Sequence, residues 1–147
     1  MCSGTSWIEL NQGKCDYAIL EKNGVYCIRM VGPNGKPIPI PRIAGKDCSG
    51  LIYIGRSGLS TSKTKRTIAE RLREFQNKKH SGGRAYDDLK AILERCCRYK
   101  NHRLQAQSRF MSDCKIHDCE AKLINKYYKE FGELPPCNSK KERTAIE

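Results

Sequence analysis

The stretches GVYCI, residues 24–28, and LIYIG, residues 51–55, decide the fold of this 147-residue chain. Each is a short run of β-branched and aromatic side chains, with a glycine at the start of the first and at the end of the second. This composition is typical of β-strands. We therefore predict two strands, at residues 25–28 and 51–54, which form a hairpin with a long connection.

The connection between the two strands has a different composition. Residues 31–50 read VGPNGKPIPIPRIAGKDCSG and are rich in proline and glycine. Proline lacks the backbone N–H that a strand ladder needs, and glycine favours tight turns. We therefore predict that this connection consists of turns and is exposed.

After the second strand, the apolar residues follow the spacing of helices. Ile68, Leu72 and Phe75 share one face of a first predicted helix, and the sequence SGG at residues 81–83 predicts its end. A second helix is predicted around residues 86–93, and a third at about residues 113–131, before Gly132. Residues 98–112 fit either a strand or an irregular segment.

The order of these elements, strands first and helices after, predicts the fold class. It is that of an α+β domain with a small central antiparallel β-sheet flanked by helices. A chain of 147 residues suits one hydrophobic core. We assign residues 1–23 to an N-terminal extension, residues 24–138 to the domain and residues 139–147 to a C-terminal tail.

The charge balance points to a polyanionic partner. The chain has 28 Lys and Arg against 16 Asp and Glu, a formal net charge of +12, and its basic residues concentrate at residues 56–79 and 95–115. Cations that contact phosphates release counterions, which favours nucleic-acid binding. No stretch approaches the roughly 20 apolar residues of a membrane span, and the N-terminus has no signal-peptide pattern. We expect a soluble, cytoplasmic protein that binds nucleic acid and no membrane.

Nine cysteines are present, and no two of them form a CxxC pair. An odd number cannot pair internally in full, and structural zinc sites usually use two such pairs. Two interpretations stay open: free thiols, which are common in protein cores, or a zinc site built on Cys114, His117 and Cys119.

Two charged residues fall on helix faces that are otherwise apolar. Arg71 lies three residues after Ile68, and Glu120 shares a face with Ile124 and Tyr127. Burying an unpaired charge is costly. Each of the two therefore either reaches the edge of its apolar face or lines a functional cleft.

Together with the strand motifs, these charges form an ordered pattern. GVY at residues 24–26 and YIG at residues 53–55 resemble the two halves of the GIY-YIG nuclease signature. Arg71 in ERLREF, Glu120 in DCEAKLINKYY and Asn138 in ELPPCN follow, at the places of the family's helix arginine, metal-binding glutamate and late asparagine. The chain thus resembles the GIY-YIG nuclease superfamily from residue 24 to residue 138, with a further likeness to stand-alone, restriction-type members.

The resemblance implies a metal-dependent endonuclease that hydrolyses DNA phosphodiester bonds. Glu120 would be the ligand of a Mg²⁺ or Mn²⁺ ion, and Arg71 would neutralise the phosphate. Tyr26 would lie near the nucleophilic water and act as its base, with Tyr53 on the adjacent strand. Arg56 would supply the positive charge that a phenolate needs.

Other assignments concern residues around this set. Asn138 would position the active-site helix or touch the DNA backbone, or it is an ordinary turn residue after two prolines. Gly24 and Gly55 would let the backbone approach closely. The further candidates for supporting the site or contacting DNA are Ser57, His80 and His117, of which His80 alternatively caps a helix end.

The chain departs from the simplest form of the family at two places. The connection between the strands is long, and the sequence LSTSKTKR at residues 59–66 is inserted before the first helix. Both insertions lie near the expected cleft. The second leaves Arg73 as an alternative to Arg71, and we prefer Arg71 because Arg73 lies off the apolar face.

Two functions follow from these observations. The first is an endonuclease on double-stranded DNA, restriction-like and acting as a homodimer, because one active site cuts one strand. The alternative is a non-catalytic nucleic-acid-binding module, with a zinc staple at the Cys/His cluster.

Overall fold

The computed structural model describes residues 4–10, 20–58 and 66–139. The strands are β1 (Ile8–Glu9), β2 (Gly24–Val31), β3 (Ile40–Arg42), β4 (Gly45–Asp47), β5 (Leu51–Arg56) and β6 (Arg103–Phe110). The helices are α1 (Ile68–Gln76), α2 (Ser81–Leu93) and α3 (Asp113–Phe131). Apart from Arg66 and Ser139, the predicted insertion at residues 59–66 and the predicted tail at residues 139–147 lie outside the described residues.

Four strands form one antiparallel sheet in the order β1-β6-β2-β5. In the central strand β2, Tyr26 lies opposite Gly55 of β5 and Ser108 of β6. The predicted α+β class, with a small central antiparallel sheet and flanking helices, is confirmed. No helix in the described ranges is both long and apolar enough to span a bilayer.

Two clusters of buried side chains join the sheet to its helices. The larger cluster connects the sheet with α1, and its members include Tyr26, Ile28, Tyr53, Ile68, Leu72 and Phe75. The smaller cluster connects it with α3, through Ile54, Ile124 and Tyr127. Fully burying one aliphatic side chain contributes about 1.5–3 kcal/mol. These contacts therefore fix α1 and α3 on the sheet, and with them the charged residues that the two helices carry.

The proline-rich connection contains structure that the sequence did not predict. Its strands β3 and β4 form a second, two-stranded sheet, and Ile38 and Ile40 are buried. Asp47 is only 1% exposed, and its carboxylate accepts hydrogen bonds from the Leu51 N–H at 3.1 Å and the Tyr127 hydroxyl at 2.8 Å. The prediction of exposed turns was therefore incomplete. Ile38 and Ile40 turn inward, whereas the prolines of this segment stay nearer the surface.

The sequence SGG at residues 81–83 begins a helix, which corrects the prediction that it ends one. His80 is the N-cap of α2, and its Nδ1 accepts hydrogen bonds from the N–H groups of Gly82 at 3.1 Å and Gly83 at 3.4 Å. A Cβ at Gly82 would lie 2.6 Å from Cε2 of Tyr53. Glycine is therefore needed here so that the first turn of α2 can pack on this tyrosine ring, not to stop a helix.

Residues 98–112 contain β6, so the strand interpretation of this segment holds. Its neighbour β1 pairs Ile8 with Ala106. The Arg29 guanidinium lies over the Trp7 ring at 4.0 Å from its centroid, and Leu20 is fully buried. The described part of residues 1–23 thus belongs to the same sheet and core as the rest of the domain.

The end of α3 agrees with the sequence. The helix ends at Phe131, and Gly132 takes the left-handed conformation with φ 72° that favours glycine. This part of the prediction is confirmed.

Candidate active site

Strands β2 and β5 bring the two signature tyrosines together. The ring centroids of Tyr26 and Tyr53 lie 5.9 Å apart, with planes inclined by 46°. Gly55 lies between them, since a Cβ there would be 2.6 Å from Tyr26 Cζ, Tyr26 Oη and Tyr53 Cε1. Any larger residue at position 55 would push these rings apart.

Both tyrosines are held in the neutral form at pH 7. Burial raises the pKa of Tyr26 well above its usual value, and the neighbouring Tyr53 raises it further. Burial also raises the pKa of Tyr53, and the positive charge of Arg71 opposes the rise in both residues. The Tyr26 hydroxyl is buried, and its contact with the Tyr53 side chain falls short of a full hydrogen bond. Such an incompletely satisfied polar group is costly and is usually satisfied by water or by a ligand.

A cleft of about 290 Å³ opens beside Tyr53, where β5 ends and the helices α1 and α3 meet it. Its walls combine one aromatic ring with cationic and anionic side chains. The lining residues are Tyr53, Arg56, Ser57, Gly58, Arg66, Arg71 and Glu120. Four of the six candidate catalytic residues, Tyr53, Arg56, Arg71 and Glu120, therefore line one cleft, and Tyr26 lies directly behind its aromatic wall.

Arg71 reaches the cleft from α1, whereas Arg73 does not. Arg71 Nη1 forms an ion pair with Glu74 Oε2 at 2.7 Å, and its side chain is 21% exposed. The Arg73 side chain is 48% exposed and pairs with Glu21 at 3.2 Å, away from the cleft. The choice of Arg71 over Arg73 thus agrees with their placement.

Glu120 lies on α3 and is 7% exposed. Its Oε1 lies 3.4 Å from Nε of Arg56, and this is the ion pair that offsets its burial. Arg56 was expected beside Tyr26 as the cation that stabilises a phenolate. Instead the cation close to both tyrosines is Arg71, and Arg56 pairs with the glutamate.

The donor set around Glu120 suits a cation that is held together with its substrate. No group of three or more His, Cys, Asp or Glu side chains that could hold a metal ion exists in the described part of the chain. A Mg²⁺ or Mn²⁺ ion with one carboxylate ligand completes its shell with waters and substrate phosphates. A buried carboxylate in a cleft lined by arginines fits that requirement.

Three other candidates support the site from its edges. Ser57 Oγ accepts a hydrogen bond from the Gly24 N–H at 2.9 Å, and the Ser57 N–H donates to the Gly24 carbonyl at 3.0 Å. Gly24 also passes close to β6, where a Cβ would lie 1.9 Å from the Arg109 carbonyl oxygen. Asn138 does not line the cleft, and its side-chain amide forms hydrogen bonds with the main chain of Ile54.

The histidines have different surroundings. His80 is buried beneath Tyr53, with which its ring stacks at 5.6 Å, and it caps α2. His117 is exposed on α3. Cys114, His117 and Cys119 do not converge into a metal-binding group. The geometry of the described residues therefore does not favour the zinc-stapled alternative.

Sequence reasoning missed Arg66, which lines the cleft, and Glu74, which pairs with two arginines that line it. Glu74 forms ion pairs with both Arg66 and Arg71. Arg66 sits at the end of the predicted insertion, where no apolar spacing marks it. Glu74 lies three residues after Arg71, a spacing that does predict an ion pair on a helix.

Comparisons of the chain with protein-family models, with curated proteins and with solved structures found no match.

Proposed function

We propose that this protein is a metal-dependent endonuclease of the GIY-YIG type that hydrolyses phosphodiester bonds of DNA. The observation that carries the proposal is the meeting of Tyr53, Arg71 and Glu120 in one cleft of about 290 Å³. These residues come from β5, α1 and α3, far apart in the sequence, and each has a side chain suited to one part of phosphodiester hydrolysis.

The arginine of α1 is assigned to the reacting phosphate. In hydrolysis the oxygen of a water bonds to phosphorus and the bond to the leaving sugar oxygen breaks. Negative charge grows on the phosphoryl oxygens during this exchange, and preorganised cations stabilise it. Arg71 presents a guanidinium whose planar donors match phosphate oxygens. Arg56, at the end of β5, is another cation in the cleft.

Glu120 is assigned to the metal ion. A bound Mg²⁺ or Mn²⁺ supplies Lewis-acid and template chemistry to phosphate hydrolysis. Glu120 would hold it from the wall formed by α3, where its contact with Arg56 places this carboxylate in the cleft.

The two tyrosines are assigned to the attacking water. Since burial raises the pKa of both, a phenolate base is disfavoured at neutral pH. The proposal therefore gives Tyr26 the task of orienting the water, which would satisfy its buried hydroxyl, instead of the expected task of base. Tyr53 forms the wall against which this water and the phosphate lie.

The finer expectations remain part of the proposal. Two copies would act together on duplex DNA, as in a restriction-like enzyme, because each chain carries one such cleft among its described residues. Light scattering of the protein with a duplex tests this, and a strict one-to-one complex of chain and duplex would contradict it. An intracellular location stays a prediction from the sequence.

A cleavage assay tests the central proposal. Purified protein is incubated with supercoiled plasmid and Mg²⁺, beside an EDTA control and the variants Glu120→Gln and Glu130→Gln. Glu130 is an exposed carboxylate on the same helix and serves as the matched control. We expect discrete cleavage that is lost with EDTA and with Glu120→Gln but kept with Glu130→Gln. Absence of cleavage with salt-sensitive DNA binding retained would favour the non-catalytic binding module.

A further inference from the structure

Glu74 ties two arginines of the cleft to each other. Its Oε2 lies 2.7 Å from Arg71 Nη1, and its Oε1 lies 2.9 Å from Arg66 Nε. Each oxygen of the Glu74 carboxylate thus pairs with a different guanidinium. Each guanidinium uses one of its five N–H donors in these pairs, which leaves it further donors for a ligand as far as the described residues are concerned.

A main-chain hydrogen bond anchors Arg66 outside helix α1. The Gly58 N–H donates to the Arg66 carbonyl at 2.7 Å, which ties Arg66 to the end of β5. Thr67, the next residue, is the N-cap of α1 and accepts a hydrogen bond from the Glu70 N–H. Arg66 therefore starts from a fixed point at the mouth of the cleft, although its side chain is 43% exposed.

We propose that Arg66 forms a second phosphate site, and that Glu74 positions it beside Arg71 so that the cleft takes two successive phosphates of one nucleic-acid strand. The proposal rests on the proposed nuclease function: Arg71, deeper in the cleft, contacts the reacting phosphate, and Arg66 contacts its neighbour. Glu74 is a positioning residue, because both of its oxygens are used by the arginines.

The charges of the cleft agree with a ligand that carries more than one phosphate. Arg56, Arg66 and Arg71 face Glu74 and Glu120, so these five side chains leave one positive charge in excess. A metal ion bound at Glu120 would raise that excess to three. One phosphodiester carries a single negative charge, so a second phosphate brings the cleft closer to neutrality.

Calorimetric titration of the full chain with small ligands tests the second site. The probes are thymidine 3′,5′-bisphosphate, thymidine 5′-monophosphate and thymidine 5′-diphosphate. The bisphosphate carries its phosphates on opposite sides of one nucleoside, as in a strand, whereas the diphosphate carries them directly joined. We expect the bisphosphate to bind about tenfold more tightly than the other two, as one charge-assisted hydrogen-bonding group provides.

Three variants assign this gain to the proposed residues. Arg66→Gln is expected to reduce bisphosphate affinity about tenfold and monophosphate affinity by much less, so that the advantage of the bisphosphate is lost. Glu74→Gln is expected to reduce bisphosphate affinity as well. Removing a negative charge would strengthen anion binding if charge alone mattered, so the sign of this change separates positioning from general attraction. Arg73→Gln, on the same helix but paired with Glu21, is the control and is expected to change neither affinity.

Several results would overturn the second site. These are a diphosphate that binds as tightly as the bisphosphate, a bisphosphate gain that survives Arg66→Gln, tighter binding in Glu74→Gln, or no binding of the bisphosphate at all. The plasmid assay is read separately. Metal-dependent cleavage with no bisphosphate gain would refute the second phosphate site alone, and bisphosphate binding without cleavage would refute the nuclease alone.

Discussion

The side-chain amide of Asn138 forms two hydrogen bonds with the main chain of Ile54: its Nδ2 donates to the Ile54 carbonyl at 2.9 Å, and its Oδ1 accepts from the Ile54 N–H at 2.9 Å. The Cys137 N–H donates to the Ile52 carbonyl at 2.8 Å. Because β5 is an edge strand of the four-stranded sheet, these bonds cover main-chain groups that have no strand beside them. Asn138 thus holds the segment that follows α3 on the strand that carries Tyr53.

We predict that Asn138→Ala lowers the free energy of unfolding by about 1–3 kcal/mol, because two main-chain groups of Ile54 lose their partners. Urea denaturation of this variant and of Ser139→Ala, its exposed neighbour, measures the difference. A variant that is as stable as the wild type but cleaves DNA poorly would instead point to a direct role of Asn138 on the substrate.

We predict that Gly82→Ala destabilises the protein by about 1–3 kcal/mol and reduces cleavage, because the added methyl group must displace the Tyr53 ring from the cleft wall. Its Cβ would lie 2.6 Å from Tyr53 Cε2. Thermal unfolding and the plasmid assay measure the two effects. Ser81→Ala, in the same turn but exposed, is the control. Unchanged unfolding in Gly82→Ala would show that the ring has room to move.

Gly82 and Gly83, compared with Arg71 and Glu120, show where sequence reasoning succeeds and where it fails. Arg71 and Glu120 could be selected from the sequence because each interrupts a local apolar pattern, and helical periodicity is a local property. The role of Gly82 depends on Tyr53, a residue far away in the sequence. A glycine that ends a helix and a glycine that admits a distant ring are identical in sequence, so the pair at residues 82–83 was assigned to the wrong end of a helix.

The same limit applies to ion pairs and hydrogen bonds. The sequence does not distinguish Arg56 as the partner of Tyr26 from Arg56 as the partner of Glu120, because that choice depends on how α3 lies against β5. The buried hydrogen bond between Asp47 and Tyr127 joins strand β4 to helix α3, across 80 residues of sequence. The fold class required less information about distant contacts, since the order of the elements and the apolar spacing are enough to predict it.

His80 makes stability depend on pH. Burial, followed by the positive charge of Arg71, lowers the pKa of His80 to about 4, against an ordinary value near 6.5. Between these two pH values the unfolded chain binds the proton and the folded chain does not, so stability is complete above pH 6.5 and falls as the pH falls toward 4. The loss is of the order of 2 kcal/mol after screening by solvent.

The variant His80→Asn isolates this contribution, because asparagine also caps helices but does not titrate. Chemical denaturation of both proteins at several pH values from 7 to 4 measures it, and the other acidic and basic groups are common to both. We expect the stability of the variant to fall less steeply than that of the wild type. Equal slopes would show that His80 binds its proton at the same pH in the folded and the unfolded chain.

Tyr26→Phe separates stability from activity most sharply. The Tyr26 hydroxyl is buried and its contact with the Tyr53 side chain falls short of a full hydrogen bond, so its removal relieves a desolvation cost of about 1 kcal/mol. We therefore predict a variant with an equal or higher melting temperature and with cleavage reduced about 100-fold, the loss expected when the attacking water is no longer oriented. Tyr127→Phe is the matched control, because its hydroxyl donates to Asp47 and its loss should destabilise the fold without a comparable effect on cleavage. If Tyr26→Phe were stabilised and cleaved DNA at the wild-type rate, the hydroxyl would have no part in orienting the water. If Tyr26→Phe were less stable than the wild type, the hydroxyl would have a hydrogen-bond partner in the core and would stabilise the fold.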